Sequence, residues 1–165
     1  MSKATDASSW IEFAETEISA ATHLFNTHHP MPTNIVCYLS QQSIEKALKA
    51  ILVENNDEFP KVHDIRKILD KTRIYEPSID IDGKAADKIT LFAIESRYPD
   101  NILDFTKEDA ELGLKYAKEI LDKVKTALNI TQEQTQDRQA YCPQANKEQE
   151  NRPDDEIEGD FLWKI

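Results

Sequence analysis

Apolar residues recur along this chain at intervals of three and four in five separate runs. That spacing predicts five helices, each burying one stripe. The first run opens at Ser9, with Glu12 three residues on as a capping box, and continues to about Asn26, where His29-Pro30-Met31-Pro32 breaks it. Its stripe is Trp10, Phe13, Ala14, Ala21, Leu24 and Phe25, and Glu17 falls in the middle of it. A lone carboxylate there is costly to bury, so Glu17 is expected to have a partner.

The second helix is predicted from Thr33 or Asn34 to about Glu54, with Cys37, Ile44, Leu48 and Ile51 on one line and Val36, Ala47 and Leu52 beside it. As the most hydrophobic element it is expected at the centre, with Gln42, Lys46 and Lys49 on the opposite side. A short third helix, Asp64 to about Arg73, carries Ile65, Ile68 and Leu69 after a loop containing Phe59, Pro60 and His63. The fourth, Lys84 to Arg97, buries Ala86, Ile89, Phe92, Ala93 and Ser96 and ends at Pro99. Leu91 and Ile94 stand off its core face and form a candidate partner-facing patch. The fifth has Thr106 as N-cap with Asp109 three residues later, and a stripe of Ala110, Leu114, Ala117, Leu121, Val124 and Leu128. Its four-three alternation suits nearly antiparallel bundle packing.

Composition supports this reading. Three Gly among 165 residues, in a chain rich in Ala, Leu, Ile, Glu and Lys, argue for an all-α, antiparallel up-and-down bundle of about five helices, four long and one short. The bundle occupies 1–130. From Thr131 to Ile165 the periodicity stops, and four basic against nine acidic residues give a balance of −5 in an acidic, low-complexity tail of disordered type. The tail closes on the apolar cluster Phe161-Leu162-Trp163-Lys164-Ile165, a candidate docking motif. The net charge of −11 disfavours nucleic-acid binding. The start, MSKATDASSW, carries no apolar leader, and no apolar run reaches the roughly 20 residues that cross a bilayer, so the expectation is a cytoplasmic protein with no membrane partner. Cys37 and Cys142 suggest neither a disulfide framework nor a metal site and are expected as free thiols.

Four stretches carry a resemblance: Ala14-Glu15-Thr16-Glu17-Ile18 with Ala21; Cys37 through Ala50, including Gln41-Gln42-Ser43-Ile44-Glu45-Lys46-Ala47-Leu48-Lys49-Ala50; His63-Asp64-Ile65 with Leu69; and Ser96-Arg97-Tyr98-Pro99-Asp100. In this order and spacing they resemble the HEPN domain over roughly residues 7 to 129. The resemblance implies a bundle of about five helices, often dimeric, related to the helical domain appended to aminoglycoside nucleotidyltransferases. Members of the family are commonly encoded beside a minimal nucleotidyltransferase, several pairs acting as toxin and antitoxin. Others are metal-independent ribonucleases, in which an Arg is followed about four to six residues later by a His, one serving as acid or base and the other stabilising phosphorane charge.

That ribonuclease motif is absent from this sequence. The four His are at 23, 28, 29 and 63 and the first Arg is Arg66, so no His follows any Arg. No catalytic set is therefore assigned, although a composite pair such as His63 with Arg97 would make a divergent ribonuclease. Arg97 has two readings. It either pairs with Glu17 across the bundle as a structural ion pair, or joins Tyr98, Lys46 and Lys49 in a pocket for a phosphate or nucleotide, with Tyr98 stacking on a base. Gln42, Lys46 and Lys49 form a polar stripe suited to a ligand or partner, against the plainer reading of Glu45, Lys46 and Lys49 as a solvated helix face. His63 is expected to cap or pack at the start of the third helix. His28 and His29 are adjacent, point to different sides and have no further ligand at suitable spacing, so no metal and no cofactor is expected. The resulting expectation is a non-catalytic, dimeric binding protein acting with a small nucleotidyltransferase. The alternatives are the divergent ribonuclease and a standalone regulator that binds a nucleotide ligand.

Overall fold

The computed structural model describes residues 6–58, 61–95 and 104–130. Five helices follow one another: α1 (Ala7–Thr27), α2 (Thr33–Glu54), α3 (Ile65–Thr72), α4 (Gly83–Glu95) and α5 (Lys107–Ala127). They form the all-α bundle, and no strand occurs among the described residues. Arg97, Tyr98, Ser96, Pro99, Phe59, Pro60, Cys142 and the stretch 131–165 lie outside the described residues.

The first helix starts earlier than its Ser9 signal suggests. Asp6 is the N-cap, and its carboxylate accepts from the Ser9 backbone N–H at 2.9 Å and from the Ser8 and Ser9 hydroxyls. A charged acceptor at the cap satisfies orphan donors of the first turn and complements the helix dipole. Its buried stripe is Ala7, Ile11, Ala14, Ile18 and Ala21. That corrects the aromatic-led stripe: Phe13 is 61% exposed, while Trp10, Leu24 and Phe25 pack only partly against the core. The small Ala face permits close approach to α2, where the buried Ser43 hydroxyl donates to the Ala14 carbonyl at 2.8 Å.

The central helix, α2, packs against all four other helices. Accordingly it is buried around most of its circumference, with Val36, Cys37, Ile44, Ala47, Leu48, Ala50, Ile51 and Leu52 all within the core. Against α5 the approach is tight: a Cβ on Gly113 would stand 3.0 Å from Ser40 Cβ and 3.3 Å from Phe92 Cε2. The third helix is capped by Asp64, which accepts from the Lys67 N–H at 3.1 Å, so His63 is not the capping residue. The Thr90 hydroxyl of α4 accepts from the Ile65 N–H at 3.0 Å and ties α3 to α4. On α4, Ala86, Ile89, Phe92 and Ala93 are buried, while Leu91 and Ile94 are exposed, as their register predicts.

The fifth helix has the capping box its sequence announces, with Thr106 and Asp109 exchanging side chain and backbone bonds. Ala110, Leu114, Ala117, Ile120, Leu121 and Val124 are buried, and Leu128 is partly so. It runs antiparallel to α1. Lys107 lies over the Phe25 ring at one end, and Lys125 pairs with Glu15 toward the other.

Candidate functional site

Five polar residues in the middle of α2 stand at 41, 42, 45, 46 and 49, which places them in two adjacent columns on consecutive turns. Gln41, Glu45 and Lys49 make the inner column. All three are buried, with Lys49 only 7% exposed, so the solvated-face reading of Glu45 and Lys49 is wrong. The reason is the central position of α2, whose flank facing α1 and the segment before α3 is covered as fully as its apolar line. Gln42 and Lys46 make the outer, half-buried column.

Within the inner column the Glu45 carboxylate gathers donors from both sides along the helix. Lys49 Nζ donates to Oε1 at 2.7 Å, Gln41 Nε2 donates to Oε2 at 2.8 Å, and His63 Nδ1 lies 3.1 Å from Oε2. Burial pushes this carboxyl up, but the bonds from Lys49 and Gln41, with the Lys49 charge and His63 behind them, outweigh it and hold the group below its usual range. The Lys49 ammonium also sits 5.9 Å from the centre of the Trp10 ring.

In the outer column Lys46 donates to Glu17 Oε1 of α1 and, at 3.4 Å, to Gln42 Oε1. Glu17 thus has the partner its position required, and among the described residues that partner is Lys46. Its second oxygen, Oε2, is buried and has no hydrogen-bond partner among the described residues. Here burial dominates and raises the carboxyl above its usual range, with the Lys46 bond and charge offsetting only part. Gln42 Nε2 donates to Gln41 Oε1 at 2.6 Å and joins the two columns. One continuous network therefore runs from Glu17 through Lys46, Gln42 and Gln41 to Glu45, Lys49 and His63.

The structure brings together four of the candidate ligand residues, Gln42, Lys46, Lys49 and His63, and adds Gln41, Glu45 and Trp10, which the sequence reading does not single out as ligand residues. The Gln41, Glu45, Lys49 succession at i, i+4, i+8 is the signal that could have found the inner column. Arg97 and Tyr98 fall outside the described residues. Among the described residues the network's two ammonium groups are each matched by a carboxylate. Beside its outer end, Ser9, Trp10, Phe13 and Lys46 line an open apolar groove of about 190 Å³.

Other candidate chemistry is quiet. Cys37 is a buried free thiol, pushed up to about 12 by burial and by Asp109; a thiol so rarely ionised is a poor nucleophile. Among the described residues no three His, Cys, Asp or Glu side chains converge to hold a metal ion. Nor, among them, is any helix long and apolar enough to cross a membrane.

The fold and network define a class: an α-helical bundle whose central helix carries a buried, charge-matched polar ladder. The HEPN domain model matches residues 7–127, and the chain belongs to the HEPN domain family. It is 33% identical over 135 residues to the protein named Putative toxin MJ1304 from Methanocaldococcus jannaschii, covering 72% of this chain and 86% of that one. Among solved structures it is similar to TT1696 from Thermus thermophilus, with a TM-score of 0.59 and 25% identity over 73% of this chain and 97% of the other.

Proposed function

We propose that this chain is the toxin-type member of a two-protein system: a non-catalytic HEPN protein that works as a cytoplasmic homodimer together with a small nucleotidyltransferase. The observation that carries this reading is the charge-matched ladder. Lys46 is engaged by Glu17 and Lys49 by Glu45, so among the described residues neither lysine of the ladder is left over to meet a reacting phosphate. Its likeness to a relative named as a toxin supports the toxin role. The sequence supports the lack of catalysis, since no His follows any Arg.

Expression in a bacterial host tests it. Induced alone, the chain is expected to arrest growth; induced with the product of the neighbouring reading frame, it is expected to co-elute with that product and growth to recover. Absence of both growth arrest and co-elution would overturn the proposal. Cleavage of RNA by the purified chain, abolished by Arg97→Ala, would replace it with the divergent ribonuclease. Stabilisation by ATP in a melting assay, about 2.7 kcal/mol at 100 times the dissociation constant, would replace it with a standalone nucleotide-binding regulator.

A further inference from the structure

We propose that the segment Phe161-Leu162-Trp163-Lys164-Ile165 of this same chain docks into the groove formed by Trp10, Phe13 and the aliphatic stem of Lys46. The inference stands apart from the identity of any partner protein.

The groove's exposed lining is apolar, and Phe13 leaves 61% of its surface in water on a helix that otherwise buries its apolar stripe. Its volume of about 190 Å³ suits one or two apolar side chains rather than a whole helix. Phe161-Leu162-Trp163 is the densest apolar cluster in the 35 residues after Ile130, and a stretch otherwise rich in Gln, Asn, Asp and Glu has no use for it in water.

Chain geometry brings the two within reach. Because α5 is antiparallel to α1 and Lys125 is paired with Glu15, the residues after Lys125 continue toward the level of Trp10 and Phe13. Ile130 still packs against the core there. Thirty residues, 131–160, then separate it from Phe161. A random coil of thirty residues would span roughly 30 Å, enough to round a helix about 10 Å across. Tethering of this kind supplies an effective concentration of order 1 mM, so a segment with an intrinsic dissociation constant of about 0.1 mM would be docked about 90% of the time.

The test is the amide NMR spectrum of the full chain against its F161A/L162A/W163A variant. Expected are shift changes at Ser9 to Glu17 and around Lys46 with the rest of the bundle unmoved. F13A, at an exposed position that spares the core, is expected to move the amides of Phe161 to Ile165 in return. Unmoved amides at Ser9 to Glu17, or movement confined to another face, would overturn the proposal. A return of the wild-type shifts on mixing the labelled triple variant with unlabelled wild type would also overturn it, assigning the groove to a second copy's tail.

Discussion

The two ends of the α2 ladder present the same pair of groups, a largely buried carboxylate and a lysine, and reach opposite electrostatic outcomes. At the inner end Glu45 has three donors and its carboxyl lies below the usual range; at the outer end Glu17 has one and its carboxyl lies above. Burial acts the same way on both. The number of hydrogen bonds to the ionised form decides the sign, which makes the inner end a structural anchor and leaves the outer carboxylate poorly supplied with donors. The same contrast orders the expected effects of mutation.

The largest effect belongs to the anchor. Glu45→Leu removes the acceptor of three donors and leaves Lys49 buried without its carboxylate, and a loss of about 3–5 kcal/mol is expected in urea denaturation. Next comes the coupling within the pair. Adding Lys49→Met to that variant removes the stranded charge, so the double variant is expected to recover about 1–3 kcal/mol relative to Glu45→Leu. A double variant less stable than the single would show that Lys49 contributes chiefly through Trp10.

How much of this contrast can be read from the chain depends on how many neighbours each helix has. In α5 one stripe faces the bundle and the rest faces water, so the capping box at Thr106 and Asp109 and the row from Ala110 to Val124 are legible from spacing alone. In α2 neighbours surround the helix, so periodicity cannot separate core from surface, and Glu45 and Lys49 pass for a solvated face. The need for a partner at Glu17 follows from the cost of burying a charge. That Lys46 meets it depends on the register of α1 against α2, which no single-helix pattern contains. Phe13 misleads because large aromatic residues usually mark a core, whereas here Ala7, Ala14 and Ala21 set the helix contact.

At the outer end a smaller effect is expected, with a distinctive pH dependence. Glu17→Gln keeps an oxygen for Lys46 and removes a charge that burial disfavours, so the stability change at neutral pH is about 1 kcal/mol or less. The two ends then diverge on titration. Because the folded value of Glu45 is depressed, its contribution is present above the ordinary 4.5 and is lost as pH falls through the folded value. Because that of Glu17 is raised, its contribution is fully present below 4.5 and is lost as pH rises through the folded value. Denaturation at several pH values from about 4 to about 7 should therefore show Glu17→Gln gaining on the wild type as pH rises. A gap that is constant, or that runs the other way, would mean the outer carboxylate is as well supplied with donors as the inner one.

The smallest effect tests whether the anchor needs all three of its donors. His63 reaches Glu45 from the loop before α3, its side chain is 48% exposed, and Lys49 and Gln41 already hold both carboxylate oxygens from within α2. An exposed contributor to a network already satisfied locally adds little, so His63→Ala is expected to cost about 0.5 kcal/mol. Its consequence should instead be local. With the side-chain link between the ladder and the start of α3 cut, and only the 3.5 Å bond from Gln41 Nε2 to the His63 carbonyl left, hydrogen exchange at Ile65 should quicken while the amides of α2 around Glu45 keep their protection. If the α2 amides lose protection to the same degree, His63 is a full member of the anchor, and the difference between the ladder's two ends rests on the loop as well as on the helix.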